Sequence, residues 1–133
     1  DLYARKIVGC ACSENPITDL TYAALRMGFE QRERPKNLIF HSDQGCHYSS
    51  LQYRQMLWKY QITESMAEEV IVGIRGDKAI FQSFKTECMT KYGCKDFKEA
   101  EFDYINYILK HYNTKRGHSY NNYMTPTAAE MAA

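Results

Sequence analysis

Between residues 38 and 63 the chain runs strand, polar turn, capped helix, strand, and this order constrains the fold more than any other feature. The apolar run Leu38-Ile39-Phe40 stops abruptly at His41-Ser42-Asp43-Gln44-Gly45. Ser49 or Ser50 can cap the helix that follows, whose apolar side carries Leu51, Met56, Leu57 and Tyr60. Gln61-Ile62-Thr63 then opens another strand. Upstream, Lys6 to Cys12 is short, partly β-branched and bounded by polar residues, which predicts a further strand. Asn15-Pro16 breaks it. Thr18 starts a helix to about Arg34 with Leu20, Ala24 and Met27 on one face, and Pro35 closes it. Strands alternating with helices make an α/β domain with a mainly parallel sheet. Ligands of such folds gather at the carboxyl ends of strands, where Asp43 stands. An Asp close to a Gly also makes an ordinary turn, and spacing alone leaves both readings open.

Beyond a variable middle, Asp77 to about Lys91 predicts a helix. Asp96 to Tyr112 is the clearest helix, with Phe97, Tyr104, Ile105, Ile108 and Tyr112 at helical spacing. The tail predicts no regular element. The length of 133 residues suits one domain. With 44% hydrophobic and 25% charged residues, the balance is that of an ordered globular chain. No apolar run approaches the roughly 18 residues that span a bilayer, and the first residues lack a secretory pattern, so no membrane partner and a cytoplasmic location are expected. A net charge of +1 means that any nucleic-acid contact must come from local clusters. The five cysteines (Cys10, Cys12, Cys46, Cys88, Cys94) show no zinc or disulfide spacing and read as reduced thiols; the same holds for His41, Cys46 and His47 as a group.

Four motifs carry more. Asp1-Leu2-Tyr3-x-Arg5-Lys6-Ile7-Val8-Gly9, His41-Ser42-Asp43-Gln44-Gly45, Lys85-Thr86-Glu87, and Tyr112-Asn113-x-x-Arg116-x-His118 with Tyr123 and Pro126 follow one another in this order. Together they closely resemble the integrase-type catalytic core of bacterial insertion-sequence transposases, over nearly the whole chain. The resemblance implies a ribonuclease H-like integrase core with C-terminal helices at residues 1–126, then a disordered tail at 127–133. It also implies Mg²⁺ held by an Asp, Asp, Glu trio, in which Asp43 is the second member. Clustered carboxylates are hard oxygen ligands suited to Mg²⁺, and two such ions can serve in-line phosphodiester cleavage and strand transfer.

The same resemblance marks departures. The family's first Asp lies upstream of the segment matching Asp1 to Gly9, and Asp1 matches a turn acid instead. The third ligand falls at Ala79 with Lys78 beside it, and neither ligates magnesium. Asp77 would point about 200° away from residue 79 on a helix. Glu87 belongs to a separate family motif. Suitable codons for Glu68 to Ile74, read from the third base, yield Arg-Gly-Asn-Cys-Trp-Asp, which the family carries just before its catalytic Glu. Residues of about 67 to 81 therefore read as out of frame, a reading that the gene's own codons test. Two family strands that precede residue 6 are expected to be missing. That leaves the core incomplete, with open edges and a marginal or aggregating product.

Candidate DNA contacts are Arg5, Lys6, Lys85, Lys115, Arg116 and His118, with Gln44, His47 and Tyr48 just past Asp43. Lysine and arginine contacts to phosphate give sequence-independent affinity. Arg32, Arg34 and Lys36 read as a solvated face, and Tyr120 and Tyr123 as possible base-stacking neighbours. These features read as a fragment of a transposase acting on transposon ends and target DNA, with transposase protomers as further partners. Its catalytic centre is inactive, because one carboxylate does not organise a two-metal site. The alternatives are a non-catalytic DNA-binding fragment that interferes with an intact transposase, an unselected remnant, and, most distantly, a phosphotransfer domain with Asp43 as acceptor.

Overall fold

In a computed structural model of the chain, residues 1–14, 18–42, 48–66, 80, 82–89, 93 and 95–133 are described. They fall into two compact units, one within Val8–Val72 and one made of Asp1–Ile7 with Gly73–Ala133.

The first unit is a helix followed by a strand–helix–strand segment. Helix α1, Thr18–Gln31, ends where Glu33 (φ 55°) and Arg34 (φ 56°) turn left-handed and Arg34 N–H returns to the Phe29 carbonyl. Pro35 keeps the chain from resuming helical geometry. Strand β1, Ile39–Ser42, pairs in parallel with β2, Thr63–Met66, in the register Ile39↔Thr63 to Ser42↔Met66. Between them lies α2, Leu51–Lys59, capped by Ser50, whose hydroxyl accepts the Tyr53 N–H. Phe29, Tyr53, Met56, Leu57 and Ile62 form the core, with Leu25, Leu38 and Phe40 packed against it.

The expected strand at Lys6–Cys12 is not one. A strand needs a neighbour to pair with, and among the described residues only β1 and β2 pair. Val8 and Gly9 lie instead against α1. A Cβ on Gly9 would sit 2.2 Å from the Ala24 carbonyl oxygen and 2.8 Å from the Gly28 nitrogen, so only glycine permits this approach.

In the second unit, residues 82–84 are helical and lead into a wider π-helical turn, Lys85–Met89. This covers the described part of the helix expected from Asp77 to Lys91. Helix α3, Phe97–Asn106, is capped by Asp96, whose carboxylate accepts the Glu99 N–H at 2.9 Å, while Glu99 reaches back to Lys95 N–H. From Tyr107 to Tyr112 the same helix widens into π geometry. The wider turn brings Tyr107, Ile108 and Tyr112 inward together, and Phe84 packs on Tyr104 and Tyr107 with ring centroids 4.9 and 5.4 Å away.

The tail expected to be disordered forms α4, Pro126–Met131. Thr125 caps it through the Ala128 N–H, Pro126 supplies a first-turn residue that has no N–H to satisfy, and Glu130 pairs with Lys6. No helix among the described residues is long and apolar enough to cross a membrane.

Candidate functional site

The parallel register makes β1 and β2 leave the sheet at the same edge, at Ser42 and Met66. Asp43 is the next residue after Ser42. Asp43, Gln44 and His47 lie outside the described residues, as do Asp77, Lys78 and Ala79. The sheet beneath that edge is polar and tightly enclosed. His41 Nδ1 lies 3.1 Å from Ser65 Oγ, while His41 Nε2, Ser42 Oγ, Glu64 Oε1 and the Tyr53 hydroxyl are buried without a hydrogen-bond partner among the described residues. Burial first, then Tyr48 and Glu64, pushes the Tyr53 phenol well above its ordinary range. Tyr48 packs edge-on against Tyr53 at 5.5 Å and tilted against Phe40, which makes it part of an aromatic stack.

Among the described residues no three His, Cys, Asp or Glu side chains come together to hold a metal ion. Glu64 sits opposite Phe40 in the middle of the ladder, and Glu87 is committed elsewhere.

In the second unit one of the other candidates, Arg116, meets Glu87. Its carboxylate accepts the Tyr107 hydroxyl at 2.7 Å and Arg116 Nε at 3.2 Å, with His111 Nε2 at 3.3 Å. Burial works against the charge, but Tyr107, Arg116 and His111 together hold the carboxyl below the usual glutamate range. Because the folded value is lowered, this contribution to stability is complete above the unfolded glutamate value of about 4.3 and disappears as pH falls through the folded one. Glu87→Gln is expected to flatten the acid limb of stability below about pH 4.3 in pH-dependent urea melts, and an unchanged limb would refute the assignment.

Arg5 lies over the Tyr120 ring at 4.0 Å, and Lys6 is ion-paired with Glu130. His118 packs on Tyr112 at 4.7 Å with its Nε2 buried and without a hydrogen-bond partner among the described residues. Burial first, then Arg116 and Arg5, lowers its pKa, which disfavours the charged imidazolium. Lys85 and Lys115 are exposed. Arg116 is the base of a carboxylate cluster rather than an unengaged cation.

Sequence reasoning missed Asn113. Its amide donates to the Ile7 carbonyl at 3.0 Å and accepts the Ile7 N–H at 3.1 Å, while its own carbonyl accepts the Thr127 N–H. Tyr112-Asn113-x-x-Arg116 was visible as a motif, but its partners are 106 and 29 residues away in sequence.

Comparison with known proteins decides the family. The family described as an integrase core domain matches residues 1–69, and a second model with the same description matches residues 78–129. This chain belongs to the integrase core domain family. It is similar to the transposase InsF for insertion sequence IS3A of Escherichia coli (strain K12), at 31% identity over 98% of this chain and 46% of the relative. It is also 31% identical to the transposase for insertion sequence element IS904 of Lactococcus lactis, over 95% of this chain and 50% of the relative. The chain thus spans about half the length of the curated relatives it matches. No solved structure gives a significant match. Within this integrase core the motifs divide by role. His41 and Ser42 form the end of β1 before Asp43, whereas Glu87, Tyr112, Asn113, Arg116 and His118 hold the second unit together.

Proposed function

We propose that this chain is part of a ribonuclease H-like integrase core of a bacterial insertion-sequence transposase, acting in the cytoplasm on transposon ends and target DNA, and that its catalytic centre is inactive. The observation that carries this reading is the residue pair at the family's third carboxylate position, Lys78 and Ala79. A lysine cation repels Mg²⁺ and an alanine offers it no ligand, so Asp43 lacks a partner in the second half of the chain whatever precedes Asp1. In the family, paired Mg²⁺ ions would activate the attacking oxygen and neutralise the leaving one. The two family matches are separated by residues 70–77, inside the segment that reads as out of frame. Magnesium-dependent nicking or joining of labelled transposon-end oligonucleotides is the test. We expect none from the purified chain, and product that vanishes in Asp43→Asn would overturn the reading.

A second reading is a DNA-binding fragment that competes with, or pairs with, an intact transposase. Exposed Lys85 and Lys115, which have no ion pair among the described residues, favour it. Binding to duplex that weakens steeply with salt, without cleavage, would support it.

A further inference from the structure

Helix α2 has a buried side and an unusual outer side. Tyr53, Met56 and Leu57 face the core, while Leu51 and Trp58, seven residues apart and so on one face, are 66% and 85% exposed. No acidic residue occurs from Leu51 to Thr63, and the charges of that stretch are Arg54 and Lys59. Neither cation has an ion pair among the described residues, and Trp58 has no ring partner there.

The turn after α2 completes the feature. Gln61 is left-handed (φ 55°), its N–H returns to the Trp58 carbonyl and the Ile62 N–H to the Leu57 carbonyl. This folds the chain back beside the helix end and leaves an open cleft of about 630 Å³, lined by Trp58, Lys59, Gln61, Ile62 and Thr63.

Trp58 and Leu51 are about 10 Å apart along the helix, with Arg54 and Gln55 between them, so they do not form the continuous apolar patch that a protein partner would favour. A single aromatic face bracketed by cations and a side-chain amide suits a nucleobase with its phosphate. Base–aromatic stacking is tolerant of sequence, and the lysine or arginine supplies the counter-charge. A helix C-terminus is the wrong end for an anion, so the phosphate contact falls to the side chains of Lys59 and Arg54.

We propose that Trp58, Lys59, Gln61 and Arg54 form a stacking subsite for an unpaired base of single-stranded DNA. Thr63 begins β2, so the subsite lies at the amino end of the parallel pair, opposite the edge at Ser42 from which Asp43 follows. It rests on the reading that this chain binds DNA, and it adds a place where a strand is held away from the ancestral centre.

Trp58 is the chain's only tryptophan, so its emission reports this site alone. The full chain is titrated at low salt with an end-labelled thymidine oligomer of about twelve nucleotides, following label anisotropy and tryptophan emission together. Saturable quenching that tracks the anisotropy is expected. Trp58→Ala weakens binding about tenfold, Trp58→Phe recovers most of it, and Lys59→Glu weakens it and flattens the salt dependence. Matching circular dichroism spectra show that these exposed substitutions leave the fold intact. Normal anisotropy binding without quenching, unchanged in Trp58→Ala, overturns the subsite and leaves the DNA-binding reading standing. Failure to bind either the oligomer or a duplex removes both. A blue-shifted emission that grows with protein concentration without DNA, together with dimers in sedimentation, overturns the subsite in favour of self-association.

Discussion

Asn113→Ala is expected to lower unfolding free energy by about 3 kcal/mol, since it removes two hydrogen bonds and orphans both polar groups of the Ile7 backbone. Asn113 is 4% exposed, so water does not readily replace the lost amide. The reciprocal pairing mimics one rung of a ladder: the side chain meets the Ile7 N–H and C=O as a neighbouring strand would. Loss of the rung also loosens the segment up to Ala4, whose carbonyl accepts the buried Asn121 amide at 2.7 Å. The check is a urea melt with amide exchange at Ile7. Thr114→Ala is the control, because its exposed hydroxyl bonds only to the Lys110 carbonyl one turn back, and it should stay within about 0.5 kcal/mol of the parent. Equal melts for the two variants would show that the Asn113 contact contributes nothing.

Gly9→Ala is expected to cost about 2 to 3 kcal/mol, at the upper end of over-packing effects, because the atoms it meets cannot swing aside. The new Cβ would lie 2.2 Å from a main-chain oxygen inside α1, so either the helix or the segment must move. Gly28 on the facing helix behaves differently. Its added Cβ would meet Val8 Cγ2 at 3.2 Å and the Val8 carbonyl oxygen at 3.4 Å, contacts that ease with small shifts. Alanine there also regains up to about 1 kcal/mol of helix propensity, so Gly28→Ala should come out near neutral in the same urea melts. Equal losses at the two glycines would contradict this crossing geometry.

Local signals were legible because their causes are local. Ser50 and Asp96 announce helix starts through short-range capping, Pro35 blocks one continuation, and the β1–α2–β2 order follows from apolar runs and their punctuation. The Lys6–Cys12 segment looked like a strand because β-branched runs favour extended backbone, but composition cannot say whether a neighbour will pair with it. The π widening at Tyr107 escaped a period of 3.6 residues, since it changes that period, and so buried Tyr107 was left off the apolar face. The helix at Pro126 was hidden among alanines that look featureless, although Thr125-Pro126 is a start signal. At the candidate site, Asp43 was singled out by its place after an apolar run and by motif, and it lies outside the described residues. Arg116 and His118 were read as facing DNA; a one-dimensional pattern shows their charge and does not show that Arg116 also meets Glu87 or that His118 packs on Tyr112.

The pairing of Ile7 with Asn113 has a bearing on synthesis. The arm at Asp1–Ile7 leaves the ribosome well before the side chain that clasps it, which is made 106 residues later, and the α4 contact of Lys6 with Glu130 comes later still. The unit built on Phe84, Tyr107 and Tyr112 therefore closes on the arm only after Asn113 has emerged, whereas everything that builds the β1–α2–β2 layer is contiguous and can condense as it emerges. Nascent chains stalled before Asn113 should show the arm open to protease while the earlier layer already resists it.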